Sequence, residues 1–121
     1  MKFIDQADAE WTEGKGYRKK ILLQGDDLNA PGTLVQIVEI APRTDVADHY
    51  HKSCTEVFHI LSGKGIFEID GKTVHLVPGD TLTCEPLEVH STRNPHDEPF
   101  RYVVFKTNVV QDDLFWKVTN T

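Results

Sequence analysis

The stretch HYHKSCTEVFHILSGKGIFEIDGKTVHLVPGD, residues 49–80, repeats one pattern: a short run of β-branched and aromatic residues, followed by a turn signal. Such runs are typical of β-strands, because their side chains pack well on a pleated surface. Asp70-Gly71 lies between two of them and predicts a two-residue hairpin, since both residues tolerate positive φ. The runs are EVFHIL (56–61), GIFEI (65–69) and TVHLV (73–77), and the turn signals are SGKG (62–65), DG (70–71) and PGD (78–80).

The same pattern continues on both sides of this stretch, while helical periodicity is scarce. Parallel strands would need crossover helices, so about eight short strands predict an antiparallel all-β sandwich or barrel. No long linker, low-complexity segment or internal repeat interrupts the chain, which we interpret as one domain over residues 1–121. The further runs are KKILLQ (19–24), TLVQIVEI (33–40), DTLTCE (80–85), VHSTR (89–93) and RYVVFKT (101–107).

The charge balance excludes some classes of partner. With 13 Lys and Arg against 19 Asp and Glu, the net charge is −6, whereas nucleic acids and anionic membranes require a clustered basic surface. The one basic cluster, Arg18-Lys19-Lys20, is interpreted as the solvated start of a strand. Acids occupy the N-terminus where a secretion signal needs an apolar core, so we expect a cytoplasmic location. Cys54 and Cys84 lie too far apart for a CxxC motif and are expected to be reduced thiols near the core.

Two histidines and a glutamate fall within HYHKSCTE, residues 49–56. Along a strand, alternate side chains share a face, so His49 and His51 point the same way. The polar KSCT segment (52–55) can bend the chain and carry Glu56 back beside them. Two readings remain open on these residues alone. The three side chains form either a polar surface turn or the beginnings of a transition-metal site.

The wider spacing is His49-x-His51-x4-Glu56-x6-Gly63, followed by PGD (78–80) and then by His90 with Asn94 four positions later. This pattern resembles the two sequence motifs of the cupin superfamily, over roughly residues 32–107. The resemblance implies a small antiparallel double-stranded β-helix, or jelly-roll barrel. It also implies one divalent transition metal (Fe, Mn, Ni, Zn, Cu or Co), and the ligands that it implies are His49, His51, Glu56 and His90.

Two departures from the family pattern concern turns rather than ligands. Arg43 stands where a glycine often sits before the first motif, and the spacing from Gly71 to Pro78 is one residue longer than the commonest form. Of the remaining histidines, His59 falls on the opposite face from Glu56 by alternation. The expected roles of the other histidines are in packing or at the surface, and these residues are His59, His75 and His96.

Alternation along the strands predicts which side chains line the barrel cavity. Either Gln36 or Glu39 points inward, depending on which face of its strand is buried. No arginine falls convincingly inside, which disfavours phosphorylated or multiply anionic ligands. The predicted lining suits a small organic molecule and comprises Phe58, Ile60, Leu82, Cys84, Thr92 and Gln36.

Two classes of function are compatible with this site. The first is a metalloenzyme acting on a small oxygenated organic molecule, as a dioxygenase, decarboxylating oxidase, lyase or isomerase. The second is a non-enzymatic module that binds a small ligand or holds a structural metal. The resemblance sets the site without setting the reaction, and no catalytic residue beyond the metal ligands is identified.

The chain ends carry apolar residues that the barrel pattern does not absorb. Residues 1–17 mix Phe3, Ile4 and Trp11 with acids, and QDDLFWKV (111–118) contains Leu114, Phe115 and Trp116. An aromatic segment of this kind closes one end of a barrel or packs against a partner subunit. Because the open sheet edges also invite pairing, a homodimer is expected, with the N-terminal arm or the DLFW segment (113–116) contributing.

Overall fold

The computed structural model describes residues 1–117, so Val118, at the end of the aromatic segment 111–118, lies outside the described residues. Eleven β-strands and one short 3-10 helix, Gly25–Leu28, make up the regular structure of this part. The strands are β1 Thr12–Glu13, β2 Arg18–Gln24, β3 Leu34–Ile40, β4 Thr44–Tyr50, β5 Thr55–Ser62, β6 Gly65–Ile69, β7 Lys72–Leu76, β8 Thr81–Cys84, β9 His90–Asn94, β10 Phe100–Thr107 and β11 Phe115–Trp116.

The strands form two sheets in which every pair is antiparallel. One sheet has the order β1-β2-β3-β10-β5-β8 and the other has the order β11-β4-β9-β6-β7. Most neighbours are distant in sequence, as in a double-stranded β-helix whose chain crosses repeatedly from one sheet to the other. The predicted antiparallel all-β jelly-roll fold is therefore confirmed.

The hairpin predicted at Asp70-Gly71 is confirmed. Ile69 pairs with Lys72, and the two turn residues have φ of 46° and 83°, the left-handed values that a type I′ turn requires. Gly63, in the preceding turn, has φ of 73°, and a Cβ there would lie 2.1 Å from the carbonyl oxygen of Pro99. Glycine is therefore needed at position 63 on both steric and conformational grounds.

Strand β4 is not among the strand-like runs predicted from the sequence. It begins at Thr44, and its sequence TDVADHY buries only Val46. The register between β4 and β9 shifts between Val46 and His49, so strict alternation fails on the approach to the histidines. His51 lies just beyond the end of β4 rather than within it.

An aromatic core fills the barrel and reaches the histidines through Phe58, whose ring lies 6.5 Å from that of His90. Phe67, which is fully buried, lies 4.8 Å from Phe58, 5.5 Å from Tyr102 and 6.3 Å from Phe100, measured between ring centroids. Asn94 is also fully buried, and its amide donates to the carbonyl oxygens of Ile40, Ala41 and Glu98. The core therefore holds one end of the barrel rigidly and leaves the other end for the polar cluster.

Among residues 1–117 there is no helix with the length and apolar character needed to cross a membrane.

Candidate metal centre

Four polar side chains meet at one end of the barrel, and they come from both sheets. His49 at the end of β4 pairs with His90 at the start of β9, which places two imidazoles side by side with centroids 4.1 Å apart. Glu56 projects from β5 on the facing sheet. His51 follows β4 and completes the group, so the structure brings together all four residues that the cupin resemblance implies as ligands.

The donor atoms of the three histidines are close enough to share one ion, and an oxygen of Glu56 lies close to two of them. Ligand nitrogens of His49, His51 and His90 all lie within 4.8 Å of one another. Oε1 of Glu56 lies 3.0 Å from Nε2 of His51 and 3.4 Å from Nε2 of His90. Only 7% of the Glu56 side chain is exposed, so this carboxylate is almost wholly removed from water.

In each of the three histidines, Nδ1 donates a hydrogen bond to a backbone carbonyl oxygen. Nδ1 of His49 donates to the oxygen of Ala47 over 2.8 Å, and Nδ1 of His51 donates to the oxygen of Asp113 over 2.7 Å. Nδ1 of His90 donates to the oxygen of Glu88 over 3.0 Å. Because a carbonyl oxygen can only accept, each neutral ring carries its proton on Nδ1 and its lone pair on Nε2. Bonds of this kind fix the tautomer and orientation of metal-binding histidines.

The donor set fits a metal cation. Within residues 1–117, Oε1 of Glu56 is a buried polar atom without a hydrogen bond, although two imidazole nitrogens lie within 3.4 Å of it. When the rings are neutral, their Nε2 lone pairs and the carboxylate oxygen converge with no proton between them. That arrangement is unfavourable by itself in a buried site, and a divalent transition metal relieves it.

The protonation states agree with this chemistry. Burial, together with the adjacent His90, lowers the pKa of His49 to about 4, so that its imidazole is neutral at pH 7. Burial acts to raise the pKa of Glu56, but His51, His90 and the Lys106 ammonium outweigh burial and lower it. Glu56 is consequently ionised at neutral pH, as a metal ligand must be.

Both cysteines lie near the cluster. Cys54 approaches His51 and Glu56, and Sγ of Cys84 lies 3.2 Å from Nδ1 of His90. Burial and the charge of Glu56 raise the pKa of Cys54 to about 11 and also raise the pKa of Cys84. Each therefore stays a neutral thiol at pH 7, which disfavours ligation by sulfur. Both are free and buried, in line with the expectation of reduced thiols near the core.

A cavity of about 220 Å³ opens onto the cluster. Of the predicted lining residues, Gln36, Phe58 and Thr92 line this cavity, and the three others do not. Ile60 is buried in the aromatic core, Leu82 packs against that core, and Cys84 sits behind His90.

The alternative left open for β3 is resolved by the structure. Gln36 points into the cavity, whereas Glu39 lies on the outer face of its sheet. There the Glu39 carboxylate accepts from the guanidinium groups of Arg18 and Arg101, and the indole ring of Trp11 covers Arg18 at 4.1 Å. Glu39 therefore belongs to a structural ion cluster and not to the site.

Asp113 is a residue of the site that the sequence did not reveal. Its carboxylate accepts hydrogen bonds from the backbone N–H groups of Lys52, Ser53 and Cys54, at 2.8, 3.1 and 3.2 Å. Its carbonyl oxygen holds His51, as described above. These three N–H bonds lower the pKa of Asp113 against the opposing effect of burial. Nothing in the sequence QDDLFWKV links Asp113 to the turn at residues 52–54, some sixty residues earlier.

The C-terminal segment packs on its own chain. Strand β11 pairs with β4, Phe115 stacks on Tyr50, and the Trp116 ring lies 5.2 Å from the ring of His49. Of the two roles considered for this aromatic segment, the structure shows the first, closure of one end of the barrel. His59, His75 and His96 are all exposed and lie outside the cluster.

Fold and site together define a barrel with a histidine and carboxylate cluster at one end, and the comparisons with known proteins agree. The family model described as Cupin domain matches residues 36–106, more than half of the chain. The chain therefore belongs to the cupin family.

Two relatives are detected by sequence. Quercetin 2,3-dioxygenase from Bacillus subtilis (strain 168) is 36% identical over 89 residues, which cover 66% of this chain and 26% of that protein. The oxalate-binding protein of Thermotoga maritima is 30% identical over 73 residues, 60% of each chain. The matched region thus spans less than two thirds of either relative.

Among solved structures, the polyketide cyclase RemF from Streptomyces resistomycificus matches with a TM-score of 0.81 at 17% identity. The match covers 99% of this chain and 87% of that chain. At this level of identity the likeness concerns the fold alone.

Proposed function

We propose that this chain binds one divalent transition metal through His49, His51, Glu56 and His90, and that it is a metalloenzyme acting on a small oxygenated organic molecule. The observation that carries the proposal is the buried Oε1 of Glu56, which lacks a hydrogen bond and faces imidazole nitrogens whose protons are held elsewhere. A purely structural polar cluster would place a donor at that position.

When bound, such a metal supplies Lewis acidity or a site for oxygen chemistry. The chain's own residues supply the surroundings. Val38, Phe58 and Val104 line the cavity and exclude water. Tyr17 also lines it, and burial with the charge of Glu56 raises the pKa of Tyr17, so its hydroxyl stays protonated as a hydrogen-bond donor.

A second candidate function is reversible binding of a small ligand without chemistry. It is favoured by the scarcity of acid–base groups: Tyr102 is buried beneath Phe58 and its pKa is raised by burial, so it is poorly suited to proton transfer. The two relatives carry names from the two classes, a dioxygenase and a binding protein. Oxygen uptake with quercetin and calorimetric titration with oxalate are therefore direct first assays of the metal-loaded protein.

The metal site itself is tested by replacing His51 and His90 together with alanine. Elemental analysis of purified protein should show about one metal per chain in the wild type and none in the double variant, because three nitrogen ligands cannot be reduced to one without loss of affinity. The matched control is His75→Ala, which removes an exposed imidazole on β7. Undiminished metal content in the double variant would contradict the proposal.

A thermal-shift series over divalent metals and pH gives an independent test. Metal should raise the melting temperature at pH 7.5 and lose this effect in mildly acidic solution, where protons compete for the imidazoles. A surface cluster of histidines would leave the melting temperature nearly unchanged at every pH. Failure of every metal tried to stabilise the protein at pH 7.5 would rule out the metal site.

We also propose that the chain forms a homodimer. Phe3 and Ile4 of the N-terminal arm are exposed, as is Phe105 on the outer face of β10. The DLFW segment contributes less than the sequence suggested, since Phe115 and Trp116 pack within the chain. Sedimentation should give twice the chain mass of 13.7 kDa at micromolar concentration, and a 13.7 kDa monomer would refute the dimer.

A further inference from the structure

Two lysines point into the barrel. Lys19 on β2 pairs with Val38, and Lys106 on β10 pairs with Glu56 and Leu34, all of which face the interior. Both lysines line the cavity, and only 18% of the Lys106 side chain is exposed. Lysine at an inward position of a barrel is unusual, because burying an ammonium group costs free energy unless a partner compensates it.

Lys106 has such a partner and Lys19 does not. Nζ of Lys106 lies 3.7 Å from Oε2 of Glu56. Within residues 1–117, Lys19 makes no ion pair and no side-chain hydrogen bond. Burial lowers the pKa of Lys19, and the charge of Lys106 lowers it further, so the two ammonium groups sense each other across the cavity.

The other charges of the cavity are already used. Glu56 is shared between His51, His90 and Lys106, and both carboxylate oxygens of Asp113 accept backbone N–H groups. No protein anion of the cavity is therefore left for Lys19. A divalent metal at the histidine cluster would add further positive charge and leave the cavity strongly cationic.

We propose that Lys19, together with Lys106 and the hydroxyl of Tyr17, binds the carboxylate group of a small organic anion in this cavity. Tyr17 and Lys19 stand two residues apart and both line the cavity, so a hydroxyl donor accompanies the ammonium group. The assignment rests on the proposed function, in which the rest of the ligand meets the metal at the histidine cluster. In that cluster, His49 and His90 belong to the sheet opposite Lys19. The ligand thus spans the space between a cationic wall and the histidine cluster.

The dimensions and donors favour a carboxylate over a phosphate. A cavity of about 220 Å³ is smaller than the sites of drug-sized ligands. Of the described residues that line it, none is an arginine, the side chain whose planar fork matches phosphate oxygens. The interpretation of Arg18-Lys19-Lys20 as a solvated start of a strand is therefore wrong for Lys19, which lines the cavity.

The test compares Lys19→Met with Lys72→Met, a control that removes one positive charge from an exposed position on β7. Both variants and the wild type are titrated calorimetrically, metal-loaded and metal-free, with acetate, lactate, oxalate and malonate, and with the corresponding neutral amides. Inorganic phosphate is a separate arm. At least one carboxylate should bind the wild type and its amide should not. Lys19→Met should weaken that binding by about tenfold or more, the effect of losing a charge-assisted hydrogen bond.

Metal content separates this inference from the proposed function. Lys19 makes no ion pair with Glu56 and no hydrogen bond to the histidines, so Lys19→Met should keep the metal content of the wild type. Absence of metal from every variant would refute the metal site alone, and the metal-free titrations would still decide the role of Lys19. Equal carboxylate affinity in Lys19→Met and Lys72→Met, binding of none of the carboxylates, or tighter binding of phosphate would each overturn the carboxylate assignment.

A second measurement covers a folding failure of the variant. Bound carboxylate should protect the Lys19 amine of the wild type from acetylation by a small reagent, as measured by mass spectrometry, while Lys72 reacts at the same rate with or without the ligand. Unchanged acetylation of Lys19 at saturating carboxylate would count against the assignment even if Lys19→Met could not be purified.

Discussion

Replacement of Asp113 by alanine should loosen both the turn at residues 52–54 and the metal site. The carboxylate accepts three backbone N–H groups there, and alanine leaves all three without their partner. At about 1 kcal/mol for each bond, a value reduced for partial exposure to solvent, the free energy of unfolding should fall by about 3 kcal/mol. For a chain of this size that corresponds to a decrease in melting temperature of about 10 °C.

The effect on metal binding follows from the backbone of the same residue. The carbonyl oxygen of Asp113 holds Nδ1 of His51, and the carbonyl remains in the variant but loses the side-chain anchor that positions it. Loss of the partner that orients a metal-binding histidine typically lowers metal affinity about 10- to 100-fold. We therefore expect a drop of that size for Asp113→Ala, and a smaller one for Asp113→Asn, which keeps one oxygen acceptor.

Urea denaturation of the metal-free protein measures the stability change, and competition with a fluorescent chelator measures the affinity. The control is Asp112→Asn, which removes a carboxylate from the exposed neighbouring residue. The reasoning is refuted if Asp113→Ala unfolds at the same urea concentration as the wild type and binds metal with the same affinity. A loss of stability with unchanged affinity would show that Asp113 holds the turn but does not position His51.

Three further changes test the fold. In urea denaturation, Gly63→Ala should destabilise the protein by more than about 2 kcal/mol, because a Cβ would meet the carbonyl of Pro99 at 2.1 Å. The control Gly71→Ala is also at positive φ but lies in open space, so it should cost only about 1 kcal/mol. Asn94→Leu should cost about 3 kcal/mol by the same measurement, since it leaves one buried and two partly buried carbonyl groups without their donor, and a cost below about 1 kcal/mol would contradict this account. Glu39→Gln should lower stability at pH 7 by about 1–2 kcal/mol, after allowance for the partly exposed arginines. The two arginine partners of Glu39 hold its pKa below the usual value, although burial opposes them. The stability that the ion pairs contribute is therefore present above the pKa of Glu39 in the unfolded chain and is lost as pH falls through its pKa in the folded protein. Denaturation over a pH series should therefore show a stability difference between Glu39→Gln and wild type that is largest near pH 7 and shrinks as the pH falls.

The sequence predicted the parts of the fold that depend on local chemistry. Asp70-Gly71 and the alternating runs beside it form a hairpin because both turn residues adopt positive φ and the strands bury one face. Strand β4 was missed because TDVADHY buries one residue and its outward positions are acidic or small, so it lacks the hydrophobic alternation that marks the others. Its place in the sheet comes from pairing with β9, which is not a local property.

The site was predictable to the extent that its residues fall within one short spacing. His49, His51 and Glu56 stand out as a cluster, and His90 followed from the resemblance to the family. Two of the residues that sequence reasoning did not assign to the site, Lys19 and Asp113, depend on long-range pairing. Lys19 sits in a basic run that reads as solvated, and only its register with Val38 turns it inward. Asp113 reaches the turn at residues 52–54 because β11 pairs with β4.

With the proposed metal bound, these long-range contacts would make closure of the barrel and metal binding parts of one equilibrium. His51 offers Nε2 to the proposed metal while its Nδ1 is bound to Asp113, and the ring of His49 lies against Trp116 of the same C-terminal segment. A metal that orients these two rings therefore favours the closed segment, and the closed segment equally favours metal, because coupling between two binding events is reciprocal. Without the C-terminal segment, His51 would lose the carbonyl that holds its Nδ1, and His49 would keep its hydrogen bond to Ala47 but lose the ring of Trp116 beside it. The barrel core, built around Phe67 and Asn94, also packs against Trp116, but the ring contacts of Phe67 and the hydrogen bonds of Asn94 are made with residues outside the C-terminal segment. Loss of metal should consequently loosen the site and its C-terminal cover while leaving the fold of the core intact.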